Sequence, residues 1–427
     1  MTETTAAPMG VRDILRVRDY RYLFGGQVVS DIGDGITFLL VLLVINDLTG
    51  GSTIAIALMA IAEAVPAFTV GLVAGVYVDR WNRRSIMLAA DLLRAGIVIT
   101  FGLVSSPELL PLLYVLGFVQ ASVSTFFRPA RGALLPHILP KEGLPAANGL
   151  AQASQVIGGV IGSGIAGLLF AFFGSGAIGF MIDAGTFLVS FLLISRIASS
   201  AGVISGDVRA RAAGASVVSS VRDGFGIVRH SRVLAGIILA AGVTMLGLGS
   251  VNVLFVPLVV NELQVNPTWM AGIDAAQTVG MLAAAALITT LVRRFTPTSI
   301  ITLGLVGIGV CIGLMAGVGA IWQVLVILVL VGLFVTPLQA MIQTLVQTST
   351  PDASRGRVVS LIQASMSTAS VASMAIGGVL ASVIGVREVF FAAGVITLVA
   401  AGISFVMFRG VSGRPVPAPS PVAAEPA

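Results

Sequence analysis

Runs of about 20 apolar residues, each long enough to cross a hydrocarbon core, recur twelve times along this chain. They fall near residues 22–44, 53–78, 85–104, 109–127, 150–173 and 176–195, then 233–258, 270–292, 298–318, 321–345, 358–384 and 389–408. Backbone polar groups in lipid must find partners within their own segment, so runs of this length can only be helices. Charge is too sparse for any other outcome. Only 10% of the 427 residues are charged, against roughly 25% in a soluble domain, and mean hydropathy is +1.03. The expected class is an all-α integral membrane protein with twelve transmembrane helices. Residues 1–19 are polar and show no apolar stretch with a small-residue cleavage site, so the first span is expected to insert uncleaved.

The basic residues alternate between connections. Arg12, Arg16, Arg18 and Arg21 precede the first run. Arg80, Arg83 and Arg84 follow the second, and Arg128, Arg131 and Lys141 follow the fourth. Further arginines fill the central connection, then come Arg293 and Arg294, Arg355 and Arg357, and Arg409 and Arg414. The intervening loops, 46–52, 105–108, 174–175 and 262–268, hold no Lys or Arg. Of 24 basic residues only Arg387 falls on the other side and only Arg94 inside a run. The positive-inside rule then places the chain in the cell (inner) membrane with both termini cytoplasmic. The net charge of +5 is therefore topology chemistry, and no nucleic-acid partner is expected.

A shift of 211 residues superposes Pro140 on Pro351, Leu150 on Leu361, and Gln152, Ala153 and Ser154 on Gln363, Ala364 and Ser365. The same shift brings Gly167, Leu169 and Gly174 onto Gly378, Leu380 and Gly385. One register held this far predicts two related six-helix bundles, the parallel-repeat plan of many secondary transporters. The expected organisation is a cytoplasmic segment (1–19), a first bundle (20–196), a linker (197–232), a second bundle (233–408) and a disordered tail (409–427). Within the linker, 217–228 reads as a short amphipathic helix on the membrane surface.

Charge inside a membrane is costly, at least about 2.5 kcal/mol per residue at mid-span, so such residues face the bundle interior or a wet cavity. Gln27, Asp31 and Asp34 share one face of the first helix by their i, i+4, i+7 spacing. A carboxyl removed from water favours its neutral form, which suits a proton carrier, and Asp34 lies nearer mid-span. The competing reading is a structural hydrogen bond to a neighbouring helix. Glu63 and Asp183 are lone acids for which proton or substrate handling and plain packing weigh equally. Asp91 and Arg94, at i and i+3, are expected to pair with each other. Asp274, near the end of its run, is expected to reach interfacial water. Cys311 is the only cysteine, and His137 and His230 lie far apart. No metal site and no cofactor are expected.

The connection after the second run reads Gly75-Val-Tyr-Val-Asp79-Arg80-Trp-Asn-Arg83-Arg84. It resembles the cytoplasmic signature of the major facilitator superfamily, a Gly, then Asp-Arg four residues on, then a basic pair. By that resemblance Gly75, Asp79, Arg80, Arg83 and Arg84, with Arg131, form a latch that closes the cytoplasmic side, Asp79 meeting a basic group or helix N-terminus of the opposite half. An ordinary positive-inside loop accounts for the arginines but not for the glycine and aspartate at this spacing. "GQVVSDIGD" (26–34), "DLLRA" (91–95), "FFRPARGALLPHILP" (126–140) and "PDASRGRVVSL" (351–361) are similar to one branch of that superfamily, which includes macrolide-efflux pumps and the enterobactin exporter. The likeness spans residues 18 to 408.

Two departures matter. The fifth run carries Gly158, Gly162 and Gly167 at the spacing of a glycine-rich antiporter signature, with Ser163 in place of its proline. Glycines at this spacing also serve close helix packing. The fourth run lacks the superfamily's arginine, having Gly117 ahead of Gln120. The resemblance implies a proton-coupled exporter of amphipathic small molecules, working as a monomer in the lipid bilayer, with H⁺ as second partner. Six interior acids against one arginine favour cationic or neutral substrates. Alternatives are a siderophore or metabolite exporter and a transport-inactive sensor, although a sensor has no need of interior acids. No nucleophile or phosphate-binding loop supports an enzyme or an ATP-driven pump.

Overall fold

A computed structural model describes residues 9–78, 80–198, 231–350 and 352–409. The described chain is helical throughout. Its helices are α1 (Val11–Arg16), α2 (Arg18–Leu48), α3 (Thr53–Thr69), α4 (Gly71–Val78), α5 (Arg83–Phe101), α6 (Leu110–Ile138), α7 (Leu144–Phe173) and α8 (Ala177–Ser195). After the central connection follow α9 (Arg232–Val256), α10 (Met270–Arg294), α11 (Pro297–Leu314), α12 (Ile321–Ser349), α13 (Asp352–Ile384) and α14 (Val386–Phe408). Among the described residues ten helices are long and apolar enough to cross a membrane.

Two expected spans fall short of that measure, each for a visible reason. The second run is two helices: Pro66 inside α3 removes an amide donor and crowds the preceding turn, and the helix ends at Thr69 before restarting at Gly71. The third, α5, is 19 residues long but carries Arg83, Arg84, Asp91 and Arg94. The expected surface helix at 217–228 and the tail beyond 409 lie outside the described residues.

Local sequence sets the helix ends. Ser52, Asn82, Ser231 and Thr296 each accept the backbone N–H three residues on, satisfying a first-turn donor. Gly174 closes α7 at φ 61°, and Gly385, between α13 and α14, stands at φ 104°. Both conformations favour glycine, and the two positions are related by the shift of 211. The structure thus recovers the sequence register at a pair of backbone angles.

The two helix sets also pack alike. In the first, α2 lies against α7 and α8, α5 against α6 and α8, and α3 against α6. In the second, α9 lies against α13 and α14, α11 against α12 and α14, and α10 against α12. These are the same five pairings, displaced by one repeat. Between the sets the principal contacts are α3 with α13, and α7 with α10 and the 267–269 turn, again a repeat-related pair. Polarity is inverted relative to a protein in water. Phe172 and Val383 are 82% and 76% exposed, while Asp91, Asp183 and Ser190 are fully buried. Apolar side chains face outward because lipid, not water, surrounds them.

Candidate functional site

The interior acids of the first helix set lie on four helices, and Asp34 of α2 acts on all the others. Arg94 of α5 forms an ion pair with Asp34. The Asp34 side chain is 46% exposed and that of Arg94 only 5%, so one end of the pair is open and the other is sealed. Asp34 lies close enough to act electrostatically on Asp31, Glu63, Asp91 and Asp183. Five acids on α2, α3, α5 and α8 therefore share one field, balanced by the guanidinium of Arg94.

The expected partnership of Asp91 with Arg94 is not formed. Arg94 sits over the Phe187 ring at 4.0 Å and near the Phe127 ring at 5.9 Å, and these aromatic faces hold its charge toward α2. Asp91, one turn earlier, is fully buried, and neither of its oxygens has a hydrogen-bond partner among the described residues. The Ser190 hydroxyl of α8 lies beside it, close enough to act as a hydrogen-bond donor to the carboxylate, although the two fall short of full hydrogen-bond geometry.

Asp31 belongs to a second arrangement, toward the arginine-rich end. Ser154 of α7 donates to its Oδ2 at 2.5 Å, and Gln27 donates to the same atom at 3.4 Å and to the Ala151 carbonyl at 3.2 Å. Arg131 of α6 faces Asp31 and Tyr20, within the same helix set. Close approach of α7 to α2 makes these bonds possible. A Cβ on Gly158 would stand 2.8 Å from that of Asp31, and one on Gly162 would meet the backbone at Ile32, Gly35 and Ile36. Gly167 packs instead on the Pro267 carbonyl of the other set.

Asp183 is the most fully satisfied acid. Thr37 donates to its Oδ2 at 2.5 Å and Thr186 to its Oδ1 at 2.9 Å, and Gly33 leaves the room this requires. Glu63 lies elsewhere, in a cavity of about 220 Å³ between the two sets, lined by Phe38, Leu42 and Ala60 on one side and Asn252, Val253 and Met374 on the other.

The expected latch residues divide. Arg83 donates to the Ala133 carbonyl at 3.0 Å and meets the His137 ring at 3.1 Å. Arg84 donates to the Ser195 carbonyl at 2.5 Å. Both cap the ends of α6 and α8 in their own set, where a cation complements the exposed carbonyls. Gly75 lies in α4, Arg80 in the turn after it, and Asp79 is outside the described residues.

Several polar contacts were not singled out from sequence. Between the sets, the amides of Asn46 and Asn261 exchange hydrogen bonds at 3.1 and 2.9 Å. Thr53 donates to the Gly378 carbonyl at 2.8 Å, and Ser163 to Asp274 at 2.6 Å. All three join the sets toward the arginine-poor end. Ser154 lies in the repeated Gln-Ala-Ser, which was a usable signal; an amide pair 215 residues apart leaves none.

Membrane-length helices packed twice on one plan, with acids turned inward beside a cavity between the two sets, define a transporter of the major facilitator type. The chain belongs to that superfamily and to its transmembrane secretion effector family, whose profile matches residues 12–412. It is 28% identical over 380 residues to the MFS-type transporter YfiS of Bacillus subtilis, covering 87% of this chain and 89% of that one. It is 24% identical to macrolide efflux protein A of Streptococcus pyogenes (88% and 92% covered) and 26% to the multidrug efflux pump Tap of Mycolicibacterium fortuitum (80% and 84%). Among solved structures, a bacterial homologue of the iron transporter ferroportin superposes with a TM-score of 0.72 at 18% identity, over 92% of this chain and 98% of that one. The nucleoside transporter NupG gives 0.70 at 13%, over 92% and 99%. These structures show the fold. The chain is a multi-pass membrane transporter with drug-efflux relatives.

Proposed function

We propose that this protein is a proton-coupled exporter of cationic or neutral amphipathic molecules, in which two six-helix bundles (20–196 and 233–408) rock about a central cavity. The observation that carries this reading is the Asp34–Arg94 pair, with its acid half-open and its base sealed. An acid placed so can exchange protons while its partner stays fixed. Protonation of Asp34 cancels the attraction and frees Arg94 toward Asp91 and Asp183, which rearranges α2 against α5 and α8. The proton thereby shifts the balance between two arrangements of the bundles, the differential interaction that any coupling requires.

The cavity supplies the substrate side. Phe38, Leu42 and Met374 offer apolar surface and Glu63 a single acid, a combination suited to a lipophilic cation. At about 220 Å³ it is smaller than the roughly 300–1,000 Å³ of drug-sized sites, so loading requires the bundles to part. Outward direction is drawn from the efflux activity named for the relatives. With the arginine-rich end cytoplasmic, the inter-set contacts at Asn46, Thr53 and Ser163 form a closed outer gate. Asp79, Arg80 and the neighbouring arginines then act at the cytoplasmic rim when that side closes.

The test is transport by reconstituted protein. Asp34→Asn in proteoliposomes is expected to lose export driven by a pH gradient while still binding substrate. Export by this variant at the wild-type, gradient-dependent rate would remove the assigned coupling.

A further inference from the structure

Two polar side chains reach the cavity between the helix sets, Glu63 from α3 of the first and Asn252 from α9 of the second. Among the described residues neither side chain makes a hydrogen bond or an ion pair. The rest of the lining is apolar. Glu63 lies ten residues in from Thr53, and Asn252 nine in from Asn261. Along a helix that is about 15 Å from the outer contacts, near mid-depth of a core about 30 Å thick. Lipid offers an unpaired polar group nothing at that depth. Packing does not account for Asn252 either. Its neighbours Val251 and Val253 are buried, while Asn252 is exposed. Against α13 the close contacts of α9 are made by Gly249 on Ser370 and by Ser250 on Ser373. A leucine at 252 would suit the apolar lining. The amide and the acid call instead for a third group that bonds to both.

We propose that Glu63 and Asn252 together hold the nitrogen of an amine substrate, one contact from each helix set, and that the site selects primary and secondary amines over tertiary ones. The inference rests on the exporter reading above and narrows its substrate class. A secondary ammonium carries two N–H bonds. One donates to a carboxylate oxygen of Glu63 and the other to Oδ1 of Asn252. A tertiary ammonium carries one N–H, which the acid takes, and the amide is left unpaired. The complex is the same whether a carboxylate meets an ammonium or a neutral acid meets a free amine, since the two differ only in which partner brings the proton. Phe38 and Met374 line the same cavity and supply polarisable surface for the rest of the molecule. No second acid lines it, so the site suits a single positive charge. Because the two contacts come from opposite sets, the bound amine bridges them, and occupancy biases their relative position.

Titration calorimetry on the full-length protein in lipid nanodiscs tests the contact, with N-methylphenethylamine and N,N-dimethylphenethylamine as probes. Both are protonated at neutral pH, so they differ only by one N–H and one methyl group. The added methyl alone would tighten binding about fourfold. The lost bond to the amide outweighs it, and the secondary amine is expected to bind about tenfold more tightly. Asn252→Leu should weaken the secondary amine about fortyfold and leave the tertiary one within about twofold, which reverses the order and shows the variant to be folded. Wild-type binding that is equal for the two amines, or tighter for the tertiary one, overturns the proposal without recourse to a variant. So does an Asn252→Leu protein that keeps the wild-type order. If Glu63→Gln weakens both amines but the wild type does not tell them apart, the Asn252 contact fails and the exporter reading stands. If neither amine binds and proteoliposomes with a pH gradient export no lipophilic cation, both fail.

Discussion

The Asp34–Arg94 pair predicts an inequality between two single substitutions. Asp34→Ala strands Arg94, whose side chain is 5% exposed and keeps only the faces of Phe187 and Phe127 and the field of Asp91 and Asp183. Removing one partner of a buried pair costs about 3–5 kcal/mol. Arg94→Met instead strands an acid that is 46% exposed. Asp34 can turn to water, so the loss is closer to that of a surface pair, about 1 kcal/mol, with the volume of the arginine stem largely kept. The double variant, Asp34→Ala with Arg94→Met, leaves no unpaired member of the pair. It is expected to recover most of the stability lost by Asp34→Ala, because replacing both members of a buried pair is often neutral. Equilibrium unfolding in mixed detergent–SDS micelles measures all three. If Arg94→Met costs more than Asp34→Ala, or if the two losses simply add, the pair is not what holds Arg94. Asp91→Asn provides the cross-check. Had Arg94 been paired with Asp91, this change would rank as the severe one; with the observed geometry it removes a buried charge that has only the Ser190 hydroxyl beside it, keeps an acceptor for that hydroxyl, and should cost little.

Other expectations are more local. Gly162→Ala places a methyl group against the backbone of α2 at Gly35 and Ile36 and should lower thermal stability by about 1–3 kcal/mol, whereas Gly159→Ala, which meets nothing within 4 Å, should match wild type in the same melting assay. Ser154→Ala removes the 2.5 Å donor to Asp31 at a cost of about 1.5–3 kcal/mol for a bond to a charged group, and a loss below about 0.5 kcal/mol would show that Asp31 is not ionised there. Glu63→Gln should weaken binding of lipophilic cations to purified protein while sparing neutral substrates of similar size; equal weakening of both would remove Glu63 from cation recognition.

Much of the architecture was legible because lipid imposes it. Segment length and the placement of arginines follow from hydrocarbon thickness and membrane potential, and both are one-dimensional properties of a sequence. The repeat was legible for a similar reason, since Gly174 and Gly385 are needed wherever the backbone turns left-handed. The pairing of side chains was not. Spacing placed Asp91 beside Arg94 on one helix, but a guanidinium on a long stem chooses among neighbouring helices, and the stack on Phe187 decided for Asp34. Glu63 and Asp183 looked equivalent as lone acids. One faces a cavity and the other accepts two threonine hydroxyls, a difference set by Gly33 and by the rotation of α8, which no local pattern encodes. Pro66 was visible in the second run, yet the division of that run into α3 and α4 depends on how the turn around Val70 packs.

The second helix set acts as an internal control for the first. It makes the same five helix pairings, but the interior contacts that accompany them are hydroxyls: Ser373 accepts from the Ser250 amide at 2.9 Å, and Thr302 shares a hydrogen bond with Ser404 at 3.0 Å. A packing plan that closes around serine and threonine in one half does not require five carboxylates and an arginine in the other. Each of those charges carries a desolvation cost that lipid cannot return, and Asp91 bears it with only the Ser190 hydroxyl beside it. The first half therefore holds its charges at the expense of stability, and the compensation has to lie in what the charges do. Under the proposed coupling, Asp34, half-open and acting on four other acids, is the place where that cost becomes a response to protons.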